Sequence, residues 1–173
     1  ANPPKTLDEF VAAAEKIAKH DAAGNLTVAG STLDMGGQDH QWWREVLIRQ
    51  YGGEPYTDND QKVTYDSEAG IQALKFYTSL QLEKKIGQVG FMDEGQAAFR
   101  AGKAGMTIDG TFRLGSFRTI KDFEWGVTEL PTNDKNIRSN YASYFANGIS
   151  AKTTGEELEA SKKFLAYISS QEA

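Results

Sequence analysis

The sequence contains no cysteine. Disulfides, thiolate catalysis and cysteine-ligated zinc are therefore excluded together. Such a chain suits an oxidising compartment. Histidine occurs only twice, at His20 and His40. A metal centre wants two or three imidazoles or a facing carboxylate cluster, and Asp39-His40 is a single pair. Neither a metal nor a cofactor is expected. No run approaches the ~20 apolar residues of a membrane helix. The glycine patterns that cradle phosphate are missing, and so is a G-x-S-x-G nucleophile elbow. Basic residues do not cluster. The 19 Lys and Arg are interspersed with 24 Asp and Glu for a net charge of -5, which argues against nucleic acid as a partner. No secretory leader is visible, and the chain opens on Ala1, so it reads as processed or trimmed.

What remains is an ordinary globular composition, 39% hydrophobic and 25% charged, at a length that fits one domain or one lobe of something larger. Thr6-Leu7-Asp8-Glu9 is a capping box behind Pro3-Pro4, and its helix is expected to run to about Lys19, with His20 as a cation at its end. Leu26 to Ala29 reads as a strand, and 30–38 as a loop. A second helix from about Gln41 stops at Gly52-Gly53. Lys62 to Tyr65 reads as extended. Asp66-Ser67 caps a third helix with Ile71, Leu74, Phe76, Tyr77 and Leu80 on its apolar face. Asp93 caps a fourth, short helix ended by Gly102. Ala104 to Ile108 is a strand, and Thr111 to Thr119 a short helix. Phe123 to Leu130 alternates like a strand, and Tyr144 to Ile149 also reads as one. Thr154 to Glu157 is a second capping box, whose helix is expected to bury Leu158, Phe164, Leu165 and Ile168. Short strands alternating with longer helices indicate an α/β domain with a small central sheet flanked by helices.

The chemistry in this pattern is aromatic and amide rather than catalytic. Met106 to Phe112 brings a strand to a glycine corner that presents an aromatic. Predicted loops also hold Gln38, Asp39, His40, Trp42 and Trp43, then Arg113, then Tyr141, Tyr144 and Asn147. Sugars offer apolar C–H faces to rings and hydroxyl rims to Asp, Asn, Gln and Arg. Trp43 is in register with Val46 and Leu47 and reads as core. Trp42 falls off that face and reads as ligand-facing. Composition alone leaves Phe112 open between the two roles. Asp109 could serve as a general acid, but a carboxylate at a strand end more often bonds or caps, and glycoside hydrolysis needs a second acid at a defined separation.

Several segments together resemble one family. Pro3 to Phe10, Gly52-Gly53 with Val63-Thr64-Tyr65-Asp66-Ser67, Phe99 to Met106, Met106 to Phe112, Leu130-Pro131 and Phe164 to Ala173 are similar, in this order, to signatures of the extracellular solute-binding proteins of ABC importers. The resemblance is to the sugar-binding group that includes maltose-binding protein, and it covers nearly the whole chain. It implies a periplasmic-binding-protein-like fold of two α/β lobes closing on ligand, with residues 1–173 as the C-terminal lobe and no counterpart here of the N-terminal lobe. It implies a non-catalytic function: binding a carbohydrate, expected to be an oligosaccharide, for delivery to a membrane permease. It also implies a periplasmic or extracellular location, with a lipid anchor in Gram-positive bacteria. Phe112 stands where the family commonly has a sugar-stacking Trp. Trp42 and His40 match positions that stack on and hydrogen-bond to sugar in maltose-binding protein. The expected ligand set is therefore Trp42, Phe112, His40, Asp39, Asp109, Arg113 and Tyr144. A lobe on its own should bind weakly and could self-associate through its open face. A binding protein for a charged solute such as a polyamine, metal chelate or organic anion is the alternative, with Arg113 and Arg118 near the corner. A small glycoside-acting enzyme is a more distant one.

Overall fold

A computed structural model describes residues 2–33, 38–57, 59, 61–92 and 95–171. They fall into two compact units, 1–141 and 142–173, and each is described by itself.

The first unit begins with helix α1, Leu7–Ile17. The Thr6 half of its capping box forms as the sequence predicts, the Glu9 amide donating to Thr6 Oγ1 at 3.1 Å, while the Glu9 carboxylate accepts from the Lys5 amide, one residue before the cap, at 2.7 Å. The helix ends before Lys19. Lys19–His20 is instead a two-residue strand, β1, antiparallel to β2, Leu26–Ser31. His20 thus sits in a ladder and not at a helix end, because the Asp21–Asn25 turn folds this stretch back. Strand β5, Ala104–Met106, runs parallel to β2, giving the order β1-β2-β5.

The small residues of the two parallel strands set the layers. Ala29 pairs with Ala104 and faces helix α4, Gly95–Arg100, within a cluster that includes Ala98, Phe99 and Phe117. The next residues along, Gly30 and Gly105, face α1, since successive strand residues point to opposite sides. A Cβ on Gly30 would meet the Ala14 backbone, and one on Gly105 would meet the Ile17 side chain. Helices therefore cover both faces of a narrow sheet at close range.

Helix α2, Gln38–Gln50, starts earlier than the expected Gln41 and packs on α3, Glu68–Leu82. It ends in a Schellman motif: the Gly53 amide reaches Ile48 O, the Gly52 amide reaches Arg49 O, and Gly52 takes φ 87°. Gly102, φ 66°, closes α4 the same way. Between α2 and α3, β3 (Tyr56–Thr57) and β4 (Lys62–Val63) form a small hairpin. Ser67 caps α3 as expected. Its buried face, however, is Gly70, Ala73, Tyr77 and Leu80, while Ile71 and Leu74 are exposed. Small residues let α3 come close: a Cβ on Gly70 would strike the Tyr65 backbone. The expected cap of α4, Asp93, lies outside the described residues.

A strap over residues 130–136 fastens this unit. Thr132 bridges Thr6, the Leu7 amide donates to Thr132 O at 2.8 Å, and Gln50 Nε2 donates to Pro131 O at 2.9 Å. Residues 123–130 form no strand. Their alternation reflects one-sided burial of Phe123 and Trp125 against Phe99 and Phe117. Among the described residues no neighbouring strand offers them a ladder.

In the second unit, residues 144–149 are irregular rather than a strand. Helix α6 is Gly155–Ile168. Thr154 is its N-cap, but its side chain makes no cap bond. The expected burial of Leu158, Phe164, Leu165 and Ile168 does not occur within this unit; Phe164 is 62% exposed. One helix and one irregular segment supply no second layer to cover the stripe.

Candidate functional site

Open α/β sheets bind ligands at the carboxyl ends of their parallel strands. Here both predicted site segments follow such ends. Strand β2 stops at Ser31, and α2, carrying Trp42, begins seven residues later. Strand β5 stops at Met106, and the corner carrying Phe112 follows it. The two ends are tied together: the Thr32 amide donates to Met106 O at 3.0 Å, and the Thr32 and Thr107 hydroxyls bond at 2.9 Å. A cavity of about 10 Å³ lined by Ser31 and Thr32 has room for about one water.

The corner is built around Asp109. Its Oδ1 accepts from the Gly110 amide at 2.7 Å and lies 3.4 Å from Arg113 Nε. The Arg113 guanidinium in turn lies over the Phe112 ring, 5.2 Å from its centroid, a cation–π arrangement. Phe112 is the middle residue of a 3-10 turn, Thr111–Arg113, that runs into a short helix α5, Leu114–Phe117. The ring is 61% exposed and folds back over Gly110, where a Cβ would lie 2.5 Å from Phe112 Cδ1. Glycine at 110 is what lets the aromatic sit there. Asp109, Phe112 and Arg113 are thus one assembly, with the carboxylate and guanidinium compensating each other.

The two adjacent tryptophans separate as their helical positions predict. Trp43 is 2% exposed and packs edge-on among Phe10, Phe76 and Tyr77 at 5.8, 6.5 and 5.5 Å. Trp42 is half-buried on the other side and stacks parallel on Tyr141, with centroids 5.3 Å apart and planes 9° off. Gln38, Asp39 and His40 lie in the first turn of α2, and their side chains are outside the described part. Tyr144 belongs to the second unit and is 87% exposed.

One turn beyond Trp42 is a group that local sequence reading misses. The buried Glu45 accepts from Tyr56 OH at 2.8 Å and Tyr65 OH at 2.7 Å, and the two phenols lie 3.2 Å apart. Burial, then the bonds to Tyr56 and Glu45, hold the Tyr65 phenol far above its ordinary range. Tyr56 is also raised: the bond with Tyr65 pulls down, but Glu45 and burial outweigh it. These partners are 11 and 20 residues apart, so only the spacing of Glu45 from Trp42 on one helix could have hinted at them. Among the described residues no cluster of three or more His, Cys, Asp or Glu could hold a metal ion. Among the described residues no helix is long and apolar enough to cross a membrane.

The whole chain, residues 1–173, matches the family model described as bacterial extracellular solute-binding protein. No curated protein matches it. Among solved structures, it is similar to a maltose/maltodextrin-binding domain from Bdellovibrio bacteriovorus bound to maltotriose, with TM-score 0.80 at 19% identity over 98% of this chain and 45% of that one. A maltose-bound protein of T. maritima gives 0.79 at 23% identity over 98% and 44%. An ABC substrate-binding protein from Listeria monocytogenes in complex with cycloalternan gives 0.75 at 19% identity over 99% and 42%. At these identities the likeness is one of fold. The chain spans under half the length of each.

Proposed function

Because the chain belongs to the bacterial extracellular solute-binding proteins, we propose that residues 1–173 form the C-terminal lobe of a carbohydrate-binding member that delivers its ligand to an importer's membrane permease. The observation that carries this reading is the placement of Trp42 and Phe112. Both follow the carboxyl ends of the same pair of parallel strands, and Phe112 is openly exposed there. Exposed rings on a rigid scaffold suit the apolar faces of sugar rings. Asp39, His40 and Tyr144 belong to the proposed contact set through the family resemblance. Asp109 and Arg113 position Phe112 and present their remaining bonding capacity to hydroxyls. The charged-solute alternative loses support at the corner, where Arg113 is already paired with Asp109. No reaction is assigned to these residues. Outside the cytoplasm the protein would act as a carrier, held by a lipid anchor where the host has one membrane.

The decisive experiment is calorimetric titration of the natural full-length protein with maltose, maltotriose and cyclic glucans. Saturable binding is expected. Trp42→Ala and Phe112→Ala should each weaken it by about tenfold or more, the value of one lost stacking surface. Residues 1–173 alone should bind at least tenfold more weakly, because a cleft needs both walls. Equal affinity in both substituted proteins and the unsubstituted one would sink the stacking assignment. Tight binding by residues 1–173 alone would sink the two-lobe reading.

A further inference from the structure

The Trp42–Tyr141 stack changes which ring a ligand would meet. Trp42 is half-buried, and one face of its ring is covered by Tyr141. Tyr141 is 42% exposed and is the outer member of the pair. Tyr141 is also the last residue of the first unit. Among the described residues, no backbone–backbone hydrogen bond holds 137–149. Within the first unit the ring contact with Trp42 and the bond from its own amide to Asn140 Oδ1, 2.8 Å, are what fix it. Glu45, whose carboxylate holds Tyr56 and Tyr65, lies one turn along α2 from Trp42.

We propose that Tyr141 is a specificity-determining residue of the carbohydrate site: its outer face receives the sugar ring, and Trp42 beneath it is the support that holds that face in place. This rests on the carbohydrate reading above. A ring that is already stacked loses little rotamer freedom when a ligand arrives, so its contact area converts to affinity more fully. A tyrosine in an unladdered segment would otherwise have to be ordered by the ligand itself. Trp42 removes that cost. The phenol hydroxyl adds an edge that can exchange hydrogen bonds with a sugar hydroxyl.

The test uses the natural full-length protein and maltotriose as the probe. Tyr141→Ala should raise Kd about tenfold, and Tyr141→Phe less than threefold. Trp42→Ala should raise Kd as much as Tyr141→Ala. The double substitution should be no worse than either alone, because both remove one surface. A merely structural role for Tyr141 would move the thermal midpoint of unfolding instead, and that midpoint should stay within about 2 °C. If Tyr141→Ala leaves Kd unchanged or lowers it while Trp42→Ala raises it, the sugar uses Trp42 directly and the proposal is wrong. Absence of any binding by the unsubstituted protein would sink the carbohydrate reading itself, and this proposal with it.

Discussion

Gly30→Ala tests the seating of α1 on the sheet. A Cβ at position 30 would lie 2.6 Å from the carbonyl carbon of Ala14 and 2.7 Å from its Cα, and closer still to its oxygen. Comfortable carbon–carbon separations are about 3.5–4.0 Å, so α1 must retreat by roughly 1 Å. Its obstacle is backbone, which cannot rotate away. A gap of that size forfeits about a quarter to a half of the dispersion energy across the contact. Ala14 is buried at this contact, and Leu7 and Phe10 are buried on the same helix. Overpacking costs about 1–3 kcal/mol, and this site belongs at the upper end. Replacing glycine recovers about 0.5–1 kcal/mol through the unfolded chain. The net expectation is a loss of about 2 kcal/mol. Gly105→Ala meets only the Ile17 side chain, which can shift, and should cost about 1 kcal/mol. Gly115→Ala, with nothing within 4 Å of the new methyl, is the control and should be neutral or stabilising by up to ~1 kcal/mol. Urea unfolding followed by tryptophan fluorescence is the assay. Trp42, Trp43 and Trp125 all lie in the first unit, so the signal reports that unit alone. If Gly30→Ala falls within about 0.5 kcal/mol of the unsubstituted protein, α1 does not rest on β2 as described.

Trp43→Ala should cost about 3–5 kcal/mol in the same assay, since it empties the centre of the α1–α2–α3 core. Gly110→Ala should leave stability within ~0.5 kcal/mol but push the Phe112 ring aside and raise Kd for maltotriose in the full-length protein several-fold; unchanged binding would remove Phe112 from the site. Glu45→Ala should cost about 2–4 kcal/mol through two lost charge-assisted bonds, and Glu45→Gln about half as much, as read by urea midpoints. Tyr65 and Tyr56 are raised above their value of 10.0 in the folded state, so the neutral phenols contribute stability that is complete below about pH 10 and is lost as pH rises beyond it. Urea midpoints from pH 8 to pH 11 should fall at the alkaline end, and Tyr65→Phe should flatten the fall.

Much of the fold could be read from residues whose effect is local. Thr6 and Glu9 named the start of α1, Gly52-Gly53 the end of α2, and Ser67 the start of α3. The split between Trp42 and Trp43 followed from helical spacing alone. Misreadings arose where a partner decides the outcome. Phe123 to Leu130 alternates because one side packs on Phe99 and Phe117, but a strand also needs a neighbour with free backbone groups. Ile71 and Leu74 looked like core by bulk, yet the buried face of α3 is the one that carries Gly70 and Ala73 with Tyr77 and Leu80. At the candidate site, Phe112 and its corner were visible as a strand meeting a glycine. The Glu45, Tyr56 and Tyr65 group and the Tyr141 stack were not, since each joins residues far apart in sequence through contacts with no periodic trace.

The strap at 130–136 has a consequence for the order of events during synthesis. The bonds that complete α1 come from Thr132, and the one that anchors the Gln50 side chain comes from Pro131. A ribosome adding about 5–20 residues per second needs roughly 6–25 s to travel from α1 to the strap. Through that interval Leu7 and Phe10 wait without their final fastening, as an apolar stripe on a nascent chain. Within this unit α1 is therefore made early but secured late, and a chain released before residue 132 would leave it unlocked.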